Sequence, residues 1–546
     1  MISEAFKALL ARVAAGEDVP QIDLLPFLQG RALADRQIGG LALAQAYAKA
    51  GKFPLATVLA RRAFDVGGWH FDTYAFCYTL LMAQDRLDEA VAITREAMLM
   101  AADRGHVALV YSIFGMFSDI VGRWPAVAQS RPDPHADRII GWLMERSFTP
   151  GNPPALRPDV LDGRKIRIGV MLAGDQAEES ALTRVALSFA RHHDRAKFDV
   201  HVYSYLTLEE NARTNPRYGS WVDDITAWGC TFHEGVRATG LARVMATHKS
   251  MLMDQLDVVI FNMLIRDYYV LALMRPAPVV IGAVHGNPRG YSLRSLDACI
   301  TGDPHSLIES LSDAYLVRPS IDFDLLAPSG ATGDGPLARA DIGADPAAVL
   351  IMSGAQAYKF NSPQFWSMVD RVLHARPLAQ WAVCGVTPAD VRGFGVKLQP
   401  EIADRVKLVP WRTDYVTRVL PLADVVVDTF PAGGALALFW AMRLGKPCLS
   451  FRSNYFRTYS QLDWSPAFRA LAREDLALPP GDLDGLAGRI LNLVDDADAR
   501  GRLGAECRDA VAALDDHRRY AADMEAAVVD AIRRKRDAGL AKSPQA

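Results

Sequence analysis

From Lys165 to about residue 500, short apolar stretches alternate with helix-period segments, and this pattern restricts the fold more than any other feature of the chain. In the first series Lys165–Leu172, Phe198–Tyr205, Asp257–Phe261, Val279–Val284 and Asp297–Thr301 have strand character, with helical runs such as Ser180–His192 between them. In the second series the strand segments are Ala348–Met352, Gln380–Cys384, Val406–Val409, Val425–Asp428 and Pro447–Ser450. Strands alternating with helices predict an α/β architecture, a parallel doubly wound sheet covered on both faces. A Pro-, Gly- and Ala-rich stretch at 316–346 separates the series, so two lobes are expected, 165–315 and 347–530. Ligands of such sheets bind outside the carboxyl ends of the strands, which puts a cleft between the lobes. The charged end of the chain, 531–546, is expected to be a disordered tail.

Residues 1–146 show only helical periodicity and predict an all-α domain. Aligning Ala48–Ala56 with Met82–Ala90 gives an offset of 34 residues, with Gly51 or Asp85 at the turn and Ala56 or Ala90 at a helix contact. That offset is the tetratricopeptide spacing, although a helical-hairpin bundle with small residues at its crossings has the same look. Residues 147–164, with four prolines, read as a linker.

Composition narrows the function classes. With 60 basic and 63 acidic residues the net charge is −3, so neither nucleic acid nor an anionic membrane surface is an expected partner. No run of about 18 apolar residues spans a membrane, and the N-terminus has no cleavage site of the secretory kind. The six cysteines form no Cys-x-x-Cys pair, which argues against a thiolate zinc site and for a reducing compartment; a cytoplasmic location is expected.

Three segments carry chemistry. Ser353–Asn361 leaves the first strand of the second lobe at its ligand-facing end and presents Tyr358 and Lys359. A lysine there neutralises a departing diphosphate, or is simply a solvated residue ahead of a helix. Leu422–Leu436 runs from a strand through Asp428-Thr429-Phe430-Pro431 to Gly433-Gly434-Ala435 and an Ala/Leu-rich helix. The turn is either an anion site made of helix-start amides or a plain strand–helix connection. His285-Gly286-Asn287-Pro288-Arg289 follows a strand of the first lobe; His285 is a candidate acid/base, or structural, and Arg289 a partner for an anion.

In this order, the segments resemble the protein O-linked N-acetylglucosamine transferase family, and most of all its bacterial branch of cytoplasmic adhesin glycosyltransferases. The matching pieces are Arg275-Pro276-Ala277-Pro278 with the strand, loop and Asp297 to Asp303 that follow, the Tyr358-Lys359 loop, and Leu422 to Gly433. The resemblance implies a GT-B-type pair of lobes behind the helical domain, a nucleotide-sugar substrate (UDP-linked) with no other cofactor and no metal, and a protein acceptor modified on Ser/Thr or Asn. It implies that Lys359 contacts the donor diphosphate, that Pro410-Trp411-Arg412 lie at the nucleotide base, and that Gly433-Gly434-Ala435 bind the diphosphate. His285 is then catalytic, with Asn287 and Arg289 on the acceptor side. The family carries polar side chains and a ribose-binding aspartate after this turn, whereas this chain has Gly434 to Trp440 with no polar side chain. That departure leaves two alternatives: a non-catalytic assembly factor with a degenerate donor site, or a transferase for another activated sugar such as a nonulosonic acid.

Overall fold

The computed structural model describes residues 4–17, 33–66, 70–127, 136–172, 181–214, 218–262, 266–284, 296–302, 313–318, 320, 322, 337–412, 414–430, 433–434, 436–452, 467–471, 473–479 and 481–542. The chain divides into two compact units, Met1–Thr149 and Pro150–Ala546.

The first unit is all-helical in its described residues: α1 (Glu4–Ala14), α2 (Leu33–Lys49), α3 (Phe53–Val66), α4 (Phe71–Ala83), α5 (Leu87–Asp103), α6 (Val107–Val127) and α7 (Ala136–Phe148). Consecutive helices pack as antiparallel hairpins, and the two aligned segments do make equivalent turns. Gly51 and Asp85 both have positive φ, +75° and +55°. In each turn the next amide closes onto the helix before it, Lys52 on the Tyr47 carbonyl and Arg86 on the Leu81 carbonyl. Ala56 and Ala90 are fully buried. The likeness stops at the residue restarting the apolar face, because Leu87 is buried and Phe53 is 43% exposed.

The second unit contains two parallel sheets. β1 (Ile166–Met171), β2 (Phe198–Tyr203), β3 (Thr231–His233), β4 (Val258–Phe261), β5 (Val279–Val284), β6 (Ala298–Thr301) and β7 (Asp313–Leu316) stand in the order 3-2-1-4-5-6-7. β8 (Val349–Gly354), β9 (Ala379–Cys384), β10 (Val406–Val409), β11 (Val425–Val427) and β12 (Cys448–Leu449) stand in the order 10-9-8-11-12. In both sheets the strand order reverses beside the first strand, between β1 and β4 and between β8 and β11. β3 and β7 escaped the sequence reading because Thr231-Phe232-His233 and Asp313-Ala314-Tyr315-Leu316 mix polar residues into very short runs.

The two lobes repeat one device at the amino-terminal edge. Asp257, ahead of β4, accepts the Arg167 amide at 2.8 Å and a bidentate pair from Arg157. Asp424, ahead of β11, accepts the Leu350 amide at 2.8 Å and Arg339 at 2.7 Å. Each aspartate staples the first strand to the fourth on the side away from the ligand edge. Arg157, within the stretch read as a linker, is thereby held to the first lobe.

Residues 531–542 of the segment expected to be a disordered tail are instead the end of a long helix, His517–Lys542. It buries Val528, Ala531 and Ile532. Although it follows the second lobe in sequence, it docks on the first. Glu525 accepts the Asp194 amide at 2.6 Å, Tyr315 donates to Asp530 at 2.8 Å, and Lys535 pairs with Asp297 at 2.6 Å. Its exposed face supplies the charges that resembled disorder in the sequence, and a boundary at 530 does not exist.

Candidate active site

The site is assembled at the carboxyl edge of the second sheet, where β8 and β11 diverge. Past β8 the chain makes a tight turn, Ala357–Phe360, and a helix, Pro363–Ala375. Ser362 caps that helix by accepting the Phe365 amide at 3.2 Å, and Pro363 occupies its first turn. Phe360 is fully buried, and its carbonyl accepts Trp366 Nε1 at 2.7 Å. Anchored from that side, the half-buried Lys359 reaches across to β11, where Nζ donates to the Gly433 carbonyl at 2.6 Å.

Past β11 the turn is organised by Asp428. Its Oδ1 accepts the amides of Thr429 and Gly434 at 2.9 and 2.8 Å, and its Oδ2 accepts the Ser450 hydroxyl at 2.7 Å. Phe430 pins the turn below, packing on Phe365 and Phe451 with ring centroids 5.5 and 5.6 Å apart. Burial pulls the Lys359 ammonium below the ordinary lysine range, and the Asp428 carboxylate partly offsets this. The pair of segments identified in the sequence is therefore brought together in space. One detail differs, since the Gly434 amide expected to face a phosphate is donated to Asp428 instead. A Cβ on Gly434 would lie 3.5 Å from Asp428 Oδ1 and 3.9 Å from Lys359 Nζ, so the cation sits directly over this turn.

β9 and β10 complete the edge. Gly385, at φ +98°, ends β9, and a Cβ there would come within 2.0 Å of the Ala355 carbonyl oxygen and 3.5 Å of the Trp411 ring. Only glycine fits. Trp411, 54% exposed, thus lays an aromatic surface beside the Lys359 loop. Arg412 does not reach into the site, because Asp414 holds it in a bidentate pair at 2.7 Å. Pro410 is an exposed residue of the same connection.

Sequence reasoning missed Tyr415. It opens a π-helical turn, Tyr415–Val419, a distortion frequent at functional sites. Its hydroxyl reaches the end of β8, where a Cβ on Gly354 would meet Oη at 2.2 Å. This oxygen is buried and has no hydrogen-bond partner among the described residues. Burial keeps the phenol protonated, so it is available as a donor. The signal in the sequence was Gly354 itself, a glycine closing a strand where nothing local requires one.

His285, Asn287, Arg289 and Ala435 lie outside the described residues, as does the side chain of Tyr358. Two further members of the resemblance motif have structural positions. Arg275 donates to Asp297 at 2.5 Å and to the Pro278 carbonyl at 2.7 Å, and Asp297 also accepts the Val280 amide at 2.8 Å. They fasten the amino-terminal edges of β5 and β6, opposite the cleft.

The lobes touch beside this site. Arg184, buried in the first lobe's helix Ala181–His192, stands 5.2 Å over the ring of Trp440 in the second lobe's helix Leu436–Arg443.

Two doubly wound lobes with a crossover helix and a cation over the switch point of the second sheet define the GT-B fold class. Among solved structures the chain is similar to a mutant O-GlcNAc transferase of Thermobaculum terrenum, at 18% identity and TM-score 0.58, over 99% of this chain and 100% of that one. The likeness is one of fold, and it runs through the helical unit and both lobes. Weaker likenesses are to a proposed UDP-N-acetylglucosamine 2-epimerase of Listeria monocytogenes (12% identity, TM-score 0.40, 62% of this chain and 91% of that one) and to S. aureus TarM (9%, 0.38, 53% and 59%). No family model and no curated protein matches the chain. No described helix is long and apolar enough to cross a membrane.

Proposed function

We propose that the chain is a glycosyltransferase that moves a sugar from a nucleoside diphosphate, UDP-linked, to a protein side chain, Ser/Thr hydroxyl or Asn amide. One observation carries this reading: Lys359 Nζ stands over the turn after β11, 2.6 Å from the Gly433 carbonyl, at the switch point of a parallel sheet. In the transfer an acceptor atom attacks the anomeric carbon, the bond from that carbon to the diphosphate oxygen breaks, and the acceptor proton passes to a base, for which His285 is the candidate. Charge grows on the leaving diphosphate, and an ammonium with low hydration is suited to stabilise it without a metal. Its remaining N–H bonds turn to the phosphates while one stays on Gly433. Trp411 offers a stacking surface for a base, and Asn287 and Arg289 are assigned to the acceptor side. The helical unit is the surface for docking the protein acceptor.

A different observation favours the non-catalytic reading: Asp428 already occupies the Gly434 amide, and the helix that follows is apolar. The two readings separate in one experiment. Lys359→Met removes the ammonium while keeping the length of the side chain, so the fold should survive. Transfer should fall about 10²–10³-fold, the effect of deleting one charge-stabilising donor. Isothermal titration with UDP and UDP-sugars, followed by mass spectrometry of acceptor protein, reads both binding and transfer. Binding of neither UDP nor any UDP-sugar by the unmodified protein would overturn the UDP-linked reading, and undiminished transfer by the variant would remove Lys359 from the mechanism.

A further inference from the structure

The first lobe carries a second cluster with no part in the donor site. Asp199, His201 and Tyr203 alternate along β2 and so share one face of the sheet. His233 joins them from β3, and Asp254 from the turn after helix Gly240–Met253. His201 Nδ1 and His233 Nε2 face each other at 2.9 Å, with the rings nearly parallel at 17°. Carboxylates stand at both ends of the pair. Asp254 Oδ2 is 3.5 Å from His233 Nδ1 and accepts the Tyr203 hydroxyl at 2.6 Å, and Asp199 Oδ2 is 3.4 Å from His201 Nε2. The His201 and His233 side chains are 12% and 18% exposed, mostly buried yet open to an approaching ion.

Proton counting shows what this arrangement lacks. Two neutral imidazoles have two N–H groups, and one of these must lie in the contact between the rings. If His201 supplies it, the bare Nε2 of His201 faces Asp199. If His233 supplies it, the bare Nδ1 of His233 faces Asp254. Either tautomer directs a lone pair at a carboxylate, and His201 Nε2 indeed has no hydrogen-bond partner among the described residues. A fixed cation, Arg167, stands with its Nε 3.8 Å from Asp199. A divalent ion, like one added proton, resolves the conflict, because it takes the lone pairs and leaves the remaining N–H groups to the carboxylates.

We propose that His201, His233 and Asp254 form a binding site for a divalent transition metal of zinc type, with Asp199 and Tyr203 as supporting hydrogen-bond partners. One ligand atom from each of the three lies within 4.8 Å of the others. Zinc bonds of about 2.0–2.2 Å bring tetrahedral ligand atoms to roughly 3.3 Å apart, so small side-chain rotations suffice, and water takes the fourth position. The ion joins β2, β3 and the chain entering β4, which makes its role structural. The other histidine–carboxylate group, His192, Asp322 and His517, is a poorer host. Arg191 occupies the same Asp322 oxygen at 2.8 Å, and Ser320 meets His517 Nδ1.

The full-length protein, stripped with chelator, is titrated with Zn²⁺ by calorimetry and with Co²⁺ by visible absorption. One saturable equivalent is expected, with a Co²⁺ spectrum of tetrahedral intensity and a raised melting temperature. His201→Gln and His233→Gln should each abolish it, and Asp199→Asn should weaken it about 10–100-fold as a loss of ligand support. His192→Gln should bind like the unmodified protein, and far-ultraviolet circular dichroism of each variant checks its fold. Because Co²⁺ is read in the unmodified chain, a misfolded variant does not block the test. Absence of saturable binding, or binding lost in His192→Gln but kept in His201→Gln, overturns the assignment. Donor binding at Lys359 is measured separately and does not enter either outcome.

Discussion

Replacing Tyr415 by Phe separates a structural residue from one kept for a ligand. The Tyr415 hydroxyl is buried against the end of β8 without a hydrogen-bond partner among the described residues. Leaving a hydroxyl in that condition costs about 1–3 kcal/mol, and removing it returns some of that energy. The ring meanwhile keeps its packing, so Tyr415→Phe should be neutral or more stable by up to about 2 kcal/mol. On the ligand side the sign reverses. Where ligand binding uncovers this oxygen, a hydrogen bond to a charged phosphate is worth about 1.5–3 kcal/mol, and nucleotide affinity should then fall roughly 10–100-fold. Urea denaturation and isothermal titration with UDP measure the two effects on one protein preparation. Opposite signs are the expected result. A variant destabilised by more than about 1 kcal/mol would mean that the hydroxyl has a partner inside the fold. Unchanged UDP affinity would remove Tyr415 from the site.

Lys359 gives a pH dependence whose sign follows from burial. Its ammonium is titrated below the ordinary lysine value of about 10.4, so kcat/KM should hold at neutral pH and decline as pH rises through that lowered value. Bound diphosphate restores the charge's partner, so the decline in kcat should come at higher pH. Lys359→Arg, which stays charged throughout, should remove both declines, and their persistence would assign them to another group. Asp297→Ala leaves the buried Arg275 guanidinium without its carboxylate and also releases Lys535. Loss of one partner of such a pair should destabilise by about 3–5 kcal/mol, read by urea denaturation, while the nucleotide affinity of the folded protein stays within about threefold.

The architecture was legible because its signal is local. Each strand of four or more apolar residues announces itself, and the alternation with helices fixes the parallel class before any contact is known. The long final helix failed the same reading for a local reason, since the charges of Arg533-Arg534-Lys535-Arg536 dominate composition. Yet buried Ile532 and the Lys535–Asp297 pair, set by a residue far earlier in the chain, keep that segment helical and docked.

The site was legible only in its first layer. Lys359 and the Gly433-Gly434 turn could be found because each follows a strand at the edge where ligands bind. What relates them is a tertiary fact with no local pattern: Asp428 reaches forward to the Gly434 amide and sideways to Ser450 on the next strand, while Lys359 bonds the Gly433 carbonyl. The apolar stretch after Gly434 likewise depends on what its neighbours supply. Judged by side chains alone, that helix start lacks everything a nucleotide needs. In the folded protein the polar groups stand on neighbouring elements instead, Tyr415 on the turn after β10 and Trp411 beside Gly385, and Trp440 on the apolar helix is occupied in holding Arg184 of the other lobe. That helix packs Trp440 against Arg184 of the opposite lobe, a contact that an apolar face accommodates. If the chain binds a donor as proposed, the polar groups on hand stand at the strand ends more than at the helix start, and the Tyr415→Phe and Lys359→Met variants probe those strand ends directly.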